Sequence, residues 1–301
     1  MDLSKAIKIH SSAFKQIGMT DLFFHSFVGD VDLFPAESTE GRTQKTLDQM
    51  SENLTCCSPF ALTVGDMAPR RGEFNGKYME FQPGPTGHPT LRDLDIMLYV
   101  QSWLVNARQE CRKNDRSDTL TFDVEDFYEF SGRARRDDRD EAFVQALERL
   151  RSSTYTTNTR PDWADTRGAT VKPIKEYELE RDEKGRITTA TVRLSGFIIY
   201  MIDDELFSWI HKDFVMQSPM RKTICLVLMH YCIHEEEGHL TITFEKLHEI
   251  TGSKRPPRKI SELIDDIIEN PLPGFVAEVD EEDETITFWC DFEITPDCPL
   301  E

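Results

Sequence analysis

One sequence pattern occurs twice in this chain, at a constant spacing of 120 residues. Residues 120–132 read LTFDVEDFYEFSG, and residues 240–252 read LTITFEKLHEITG. Every apolar position of the first copy is apolar in the second, apart from Tyr128, which stands opposite His248. A period of this length is too long for a solenoid repeat and suits two tandem domains. The identical positions are Leu120 and Leu240, Thr121 and Thr241, Glu125 and Glu245, Glu129 and Glu249, and Gly132 and Gly252.

Both copies predict the same local structures. A short β-strand at 119–122 or 240–243 precedes a short helix, for which Asp123 or Thr243 is a suitable N-cap. Gly132 and Gly252 suit the position just after the end of that helix. A basic segment and a second amphipathic helix follow. The apolar stripe of this helix is Phe143, Val144, Leu147 and Leu150 in the first copy, and Ile260, Leu263, Ile264, Ile267 and Ile268 in the second.

Flanking segments complete the pattern. A longer apolar helix is predicted before each strand, at about 91–112 and 218–236, and extended segments follow each amphipathic helix. The order of helix, strand, helix, turn, helix and hairpin is that of a winged helix, whose third helix usually enters the major groove of DNA. We therefore predict an α+β fold with two tandem winged-helix domains and an N-terminal extension. The predicted ranges are 1–75 for the extension, which is partly irregular, 76–205 for the first domain and 206–301 for the second. The extended segments are 154–160, 171–179 and 186–194 in the first copy, and 275–278 and 285–290 in the second.

The net charge of −20 is unusual for a DNA-binding protein, because contacts with phosphates dominate affinity. The charge is unevenly distributed. Residues 201–301 carry 23 acidic and 8 basic residues, a net charge of −15, whereas residues 87–200 carry 21 and 19, a net charge of −2. The acidity therefore belongs to the second copy, and the first copy is the better candidate for binding DNA.

In the first copy the basic turn is the leading DNA-binding candidate. Four arginines within seven residues precede the third helix, where guanidinium groups can bind phosphates. On that helix, Gln and Arg are side chains that read adenine and guanine. The alternative is a solvated, salt-bridged surface, because Asp137, Asp138, Asp140 and Glu141 lie among the arginines. The candidates are Arg133, Arg135, Arg136 and Arg139 in the turn, Gln145, Arg149 and Arg151 on the helix, and Arg160 and Arg167 in the predicted wing.

The second copy has a basic turn as well, but its third helix and wing are acidic. The turn at 253–259 reads SKRPPRK, and two further basic residues open the preceding long helix. The predicted wing tip at 280–284 reads DEEDE, and the exposed helix face carries Glu262, Asp265, Asp266 and Glu269, all of which a duplex repels. Direct DNA contact by this copy therefore stays an open alternative. The candidate contacts are Arg221, Lys222, Lys254, Arg255, Arg258 and Lys259.

Enzyme motifs do not fit the chain. The segment GEFNGKY at 72–78 is too short for a phosphate-binding loop and instead predicts a hairpin turn at Asn75-Gly76. His230 and His234 have a metal-binding spacing on a helix, but Gly238 stands where a zinc protease motif needs its second histidine. We therefore expect no catalytic activity, no cofactor and no metal.

Localisation can also be predicted. Seven scattered cysteines without a CxxC motif indicate a reducing, cytoplasmic location. The first residues lack a signal-peptide pattern, and no apolar run approaches the length of a membrane span.

Several segments, in the right order, resemble the plasmid replication initiator protein A family. The resemblance covers roughly residues 75–290. It implies a tandem winged-helix initiator that binds repeated sites in double-stranded origin DNA, helps to open the duplex and recruits host replication proteins. Whether such a protein acts as a monomer or a homodimer is left open. The segments are 90–99 (TLRDLDIMLY), 146–150 (ALERL), 154–158 (TYTTN), 192–197 (VRLSGF), 213–221 (DFVMQSPMR) and 247–253 (LHEITGS).

Two further hypotheses fit the same architecture. One is a winged-helix transcriptional regulator. The other is an acidic module that binds proteins or mimics DNA, which the composition of residues 201–301 favours.

Overall fold

The computed structural model describes residues 16–20, 59–74, 77–109, 117–135, 137–157, 171–203, 207–234, 239–251 and 258–291. Within these ranges the chain forms helices and small antiparallel sheets. The helices are α1 (Leu94–Gln109), α2 (Val124–Phe130), α3 (Asp137–Ser152), α4 (Gly196–Asp203), α5 (Pro219–His234), α6 (Phe244–Ile250) and α7 (Arg258–Glu269), with a 3-10 helix at Lys212–Met216. The strands are β1 (Gln16–Thr20), β2 (Arg70–Phe74), β3 (Lys77–Gln82), β4 (Thr119–Asp123), β5 (Thr154–Thr157), β6 (Ile174–Arg181), β7 (Ile187–Leu194), β8 (Phe207–His211), β9 (His239–Thr243), β10 (Phe275–Asp280) and β11 (Thr285–Cys290).

The sequence repeat corresponds to two similar structural units. The first unit consists of α1, α2 and α3 with the sheet β4-β7-β6, and the second of α5, α6 and α7 with the sheet β9-β11-β10. In each sheet the strand before the short helix pairs with the last strand of the hairpin. The repeated threonine occupies the same place in both sheets. The Thr121 hydroxyl lies 2.9 Å from that of Thr191, and the Thr241 hydroxyl lies 2.8 Å from that of Thr287.

The predicted helix ends are confirmed where the structure describes them. Asp123 caps α2 by accepting a 2.8 Å hydrogen bond from the Glu125 N–H. Thr243 caps α6 in the same way, through a 3.2 Å bond from the Lys246 N–H. Gly132 has a φ of 64°, the left-handed conformation expected after a helix end. Gly252 lies outside the described residues.

The predicted apolar stripes mostly face the interior. Phe143, Leu147 and Leu150 of α3 are buried, and so are Ile260, Ile264 and Ile267 of α7. Ile268 was assigned to the second stripe wrongly, because its side chain is 44% exposed. One continuous apolar core extends through both units.

Two further sheets lie outside the repeat. The β2-β3 hairpin is confirmed by the pairing of Phe74 with Lys77, although the turn residues Asn75 and Gly76 are outside the described part of the chain. Strand β5 joins this hairpin instead of contributing to the predicted wing. The N-terminal extension contributes β1, in which the buried Ile17 pairs with Ile210 of β8. In the described ranges, no helix is both long and apolar enough to span a membrane.

Candidate nucleic-acid interface

The outward side of α3 carries both charged and uncharged side chains. Glu141, Ala142 and Gln145 are exposed on it, and the Gln145 side chain donates a 3.2 Å hydrogen bond to Glu141. Arg151, also exposed, donates two hydrogen bonds, of 2.9 and 2.7 Å, to the carboxylate of Glu148. Gln145 and Arg151 therefore lie at the surface, as the sequence predicted.

Arg149 does not lie on this surface, and its predicted position was wrong. Its side chain is 5% exposed and donates two hydrogen bonds, of 2.7 and 2.9 Å, to the carboxylate of Asp93. An arginine in a buried, bidentate pair reaches a base edge only by breaking that pair, which leaves the carboxylate buried without its partner. Arg149 ties α3 to the residue that precedes α1.

Arg135 and Asp140 bind the β6-β7 hairpin at Ile187, directly after its turn. The Asp140 carboxylate accepts a 2.7 Å hydrogen bond from the Ile187 N–H, and Arg135 donates to the Ile187 carbonyl. Arg135 also donates to both oxygens of Asp140, at 3.3 Å each, and to Glu125, at 3.3 Å. Its side chain is 19% exposed. Three elements thus meet here: the turn before α3, the start of α3 and the first residue of β7.

The beginning of α3 is also tied to α2. The buried Tyr128 hydroxyl donates a 3.0 Å hydrogen bond to the carbonyl of Arg139. Burial, helped by the nearby Asp140 carboxylate, raises the pKa of Tyr128 to about 12. Arg139 is half-buried, and Arg136 lies outside the described residues.

Arg133 and Lys222 bind a single buried carboxylate, that of Asp95, from opposite units. Asp95 has no exposed surface, and both cations form ion pairs with it. Burial raises the pKa of Asp95 and lowers that of Lys222, whose side chain is 1% exposed. The predicted surface position of Lys222, where it could contact a phosphate, is therefore wrong. Arg133, at 29% exposure, stays partly accessible.

Arg221 is buried as well, in contrast to its predicted surface position. It donates to the Asp266 carboxylate at 2.7 Å and to the carbonyls of Asn270 and Pro271 at 2.5 and 3.2 Å. Carbonyl groups at the end of a helix lack intrahelical donors, so Arg221 caps the C-terminal end of α7.

The predicted extended segments 171–179 and 186–194 are confirmed as β6 and β7, and the hairpin that they form has its tip at Asp182–Arg186. Arg160 and Arg167 precede this hairpin and lie outside the described residues. The Asp182 carboxylate accepts 2.9 Å hydrogen bonds from the N–H groups of Lys184 and Arg186 and thereby shapes the turn. The side chains of Arg181, Lys184 and Arg186 are exposed. The sequence analysis missed these three basic residues, although the Lys-Gly pair between two alternating strands indicates a hairpin turn.

The corresponding tip of the second unit, Asp280–Glu284, consists of five exposed acidic residues. Glu262, Asp265 and Glu269 are exposed on α7, as predicted. The candidate basic residues of the turn in this unit lie outside what the structure describes, which applies to Lys254, Arg255 and the side chains of Arg258 and Lys259.

No metal site is formed by the described residues, since no three His, Cys, Asp or Glu side chains among them cluster suitably. The side chains of His230 and His234 are outside that description.

Comparison with known proteins identifies the family. The model of the family Replication initiator protein A matches residues 49–276, and the chain belongs to this family. Among curated proteins, none matches the sequence. The family match confirms the resemblance seen in the sequence.

Two solved structures share the fold. One is a selenomethionine derivative of domains 2 and 3 of RctB, with a TM-score of 0.51 and 10% identity, covering 75% of this chain and 91% of that one. The other contains RctB domains 2-3, with a TM-score of 0.51 and 8% identity, covering 76% and 93%. At these identities the likeness concerns the fold alone.

Proposed function

We propose that this replication initiator family member binds double-stranded origin DNA through the first of two winged-helix units and has no catalytic activity. In this proposal α3 enters the major groove, and the β6-β7 hairpin is the wing beside it. The element order of the two units and the family membership support the proposal. Promotion of replication together with host proteins, and a homodimer as a binding form, belong to the same proposal.

The observation that carries it is the contrast between the two hairpin tips. The tip of the first unit presents Lys184 and Arg186 beside two acidic residues and directly follows Arg181, whereas the tip of the second presents five acidic residues and no basic one. A phosphate backbone attracts the first and repels the second. The exposed Gln145 on α3 adds a side chain that can read an adenine.

A salt series of mobility shifts tests the proposal, with duplex DNA from the region upstream of the gene. We expect K184A/R186A to reduce the slope of log affinity against log salt by about 0.9 for each lost phosphate contact. The matched control is R193A, since Arg193 lies near the far end of β7, the strand that follows the tip, and is bound to Asp118 and Glu176 at 2.6 and 3.0 Å. Absence of any shift by the wild-type protein at low salt overturns the proposal.

Replication itself needs a separate test. We expect a plasmid carrying the candidate origin to replicate only when the intact gene is supplied. A protein that shifts this DNA but leaves the plasmid unable to replicate is the transcriptional regulator considered above, and that result rejects the initiator role.

A second candidate function concerns the second unit, which we propose binds a basic protein surface. The exposed acidic tip at 280–284 and the acidic face of α7 favour this. Replacing the five acidic residues of the tip with Gln or Asn should leave DNA affinity unchanged or raise it, and should prevent plasmid replication. Normal replication by this variant contradicts the candidate.

A further inference from the structure

We infer that Asp140 and Arg135 are positioning residues that hold the tip of the β6-β7 hairpin in the place where Lys184 and Arg186 reach DNA. The inference rests on the proposed DNA binding by the first unit. It assigns the two residues a role that differs from direct contact with DNA.

The argument begins at Ile187, the first residue of β7 and the residue after Arg186. Asp140 accepts from its N–H at 2.7 Å, and Arg135 donates to its carbonyl, so both of its backbone polar groups are bound to the region where α3 starts. The side chain of Ile187 is fully buried. Strand β7 is therefore held at Ile187 by its N–H, its carbonyl and its buried side chain.

Asp140 itself is well held. It is 7% exposed and lies in the first turn of α3, where a negative charge is favourable. Arg135 contacts both of its oxygens and also stacks over Tyr128, with the guanidinium carbon 5.9 Å from the ring centroid. Tyr128 in turn binds the carbonyl of Arg139. The pair thus connects the hairpin to α2 and to the start of α3.

The consequence for DNA binding is geometric. A duplex contacts the third helix and the wing at separate places, so both contribute fully only when their relative orientation fits the duplex. Only one residue lies between Ile187 and Gly185 at the turn. Release of the Ile187 backbone groups therefore allows the tip to move relative to α3 and reduces the contribution of its two cations.

In the second unit the residue at the equivalent place is bound within its own turn, since the N–H of Asp283 donates a 3.2 Å hydrogen bond to the Asp280 carboxylate. Register in the two sheets places Thr191 opposite Thr121 and Thr287 opposite Thr241, so Ile187 corresponds to the exposed Asp283. Strand β11 begins only at Thr285. The β6-β7 hairpin, which is bound to the start of α3, is also the hairpin that carries the basic tip.

A double-mutant cycle tests the inference, with mobility shifts on the upstream duplex and on a scrambled duplex of equal composition. We expect K184A/R186A to weaken binding about tenfold in the wild-type background and less than twofold in the D140A background. A residue that matters only for folding leaves the tenfold effect intact in the molecules that fold. The R193A background is the control and should retain the full effect.

The possible results separate the two proposals. Failure of the wild-type protein to bind either duplex rejects the proposed function. Wild-type binding with an equal loss in both backgrounds rejects the positioning role alone. If D140A does not fold, the cycle is run with Arg135→Met, which leaves the Asp140 bond to the Ile187 N–H in place. We then expect K184A/R186A to weaken DNA binding less in this background than in the wild type. A full tenfold effect in this background overturns the inference.

Discussion

Arg221 at the start of α5 binds the carboxylate of Asp266 on α7, at 2.7 Å, and in doing so joins the first and third helices of the second unit. The first unit joins the same two elements through Arg149 on α3 and Asp93 before α1. The two ties have opposite polarity, since the cation is on the third helix in one unit and on the first helix in the other. Asp266, which the sequence assigned to a DNA-repelling surface, therefore also holds its unit together.

The two ties should differ in strength. Arg149 and Asp93 are 5% and 4% exposed, whereas Asp266 is 47% exposed and stays hydrated when its partner is removed. We expect Arg149→Met to lower the free energy of unfolding by about 3–5 kcal/mol, as for other broken buried pairs, and Arg221→Met by about 1–3 kcal/mol. Urea denaturation measures both. Arg151→Met is the control and should cost less than about 1 kcal/mol, because its pair with Glu148 is exposed. A larger loss for Arg221→Met than for Arg149→Met contradicts this assignment.

Replacement of Gln145, unlike that of Arg149, should affect DNA recognition and leave stability almost unchanged. Its side chain is exposed on α3, and within the described part of the chain it bonds only Glu141, at the surface. We expect Gln145→Ala to change the free energy of unfolding by no more than about 0.5 kcal/mol and to reduce discrimination at one base pair by about 1–3 kcal/mol. Binding to a panel of duplexes with single substitutions measures the second effect. Uniformly weaker binding to all duplexes would instead make Gln145 a backbone contact.

The sequence predicted the local features of the fold but not the partners of its buried arginines. The strands, caps and buried stripes follow from local patterns, so Asp123, Thr243 and Gly132 were placed correctly. The partners of the arginines are set by tertiary contacts. Nothing near Arg149 in the sequence indicates Asp93, which lies 56 residues away, and the helical periodicity alone placed Arg149 on the polar side of α3.

The same limit applies to Asp95 and Lys222. Asp95 lies in the first turn of α1, where a negative charge is favourable in any case, and nothing near it in the sequence indicates the lysine 127 residues further along the chain that binds it. Segment 154–160 was counted with the wing for a related reason. β-branched residues after α3 favour a strand, but the sequence does not show that this strand pairs with β3 instead of joining the hairpin.

The Asp95–Lys222 pair should couple the two units energetically. Lys222→Met leaves the fully buried Asp95 with Arg133 alone, and we expect a loss of about 3–5 kcal/mol in the free energy of unfolding. The double variant D95N/K222M should lose less than the sum of the two single variants, since the uncompensated charge is gone. Denaturation of the three variants gives the coupling energy. Additive losses would mean that the pair does not connect the units.

Gly132 lies where the turn of the first unit meets the 3-10 helix of the second. Its φ is 64°, and an added Cβ would lie 2.9 Å from Met216 Cγ. Gly185 has a φ of 81° but open space around it, so it is a matched control for backbone strain alone. We expect Gly185→Ala to cost about 1–2 kcal/mol and Gly132→Ala somewhat more, with the excess removed by Met216→Ala. If Gly132→Ala costs no more than Gly185→Ala, the contact with Met216 does not matter for stability.

Tyr128 should make stability depend on pH in the alkaline range. Burial raises its pKa to about 12, whereas an unfolded tyrosine ionises near pH 10. The folded state therefore favours the neutral form. The resulting stabilisation is complete below about pH 10 and is lost as the pH rises towards 12. The residue that replaces the tyrosine in Tyr128→Phe cannot ionise. The difference in unfolding free energy between the two proteins is measured first at pH 7. As the pH rises from about 10 to 12, we expect the wild type to lose stability relative to the variant. A difference that stays constant from pH 9 to 12 would show that Tyr128 ionises equally in both states.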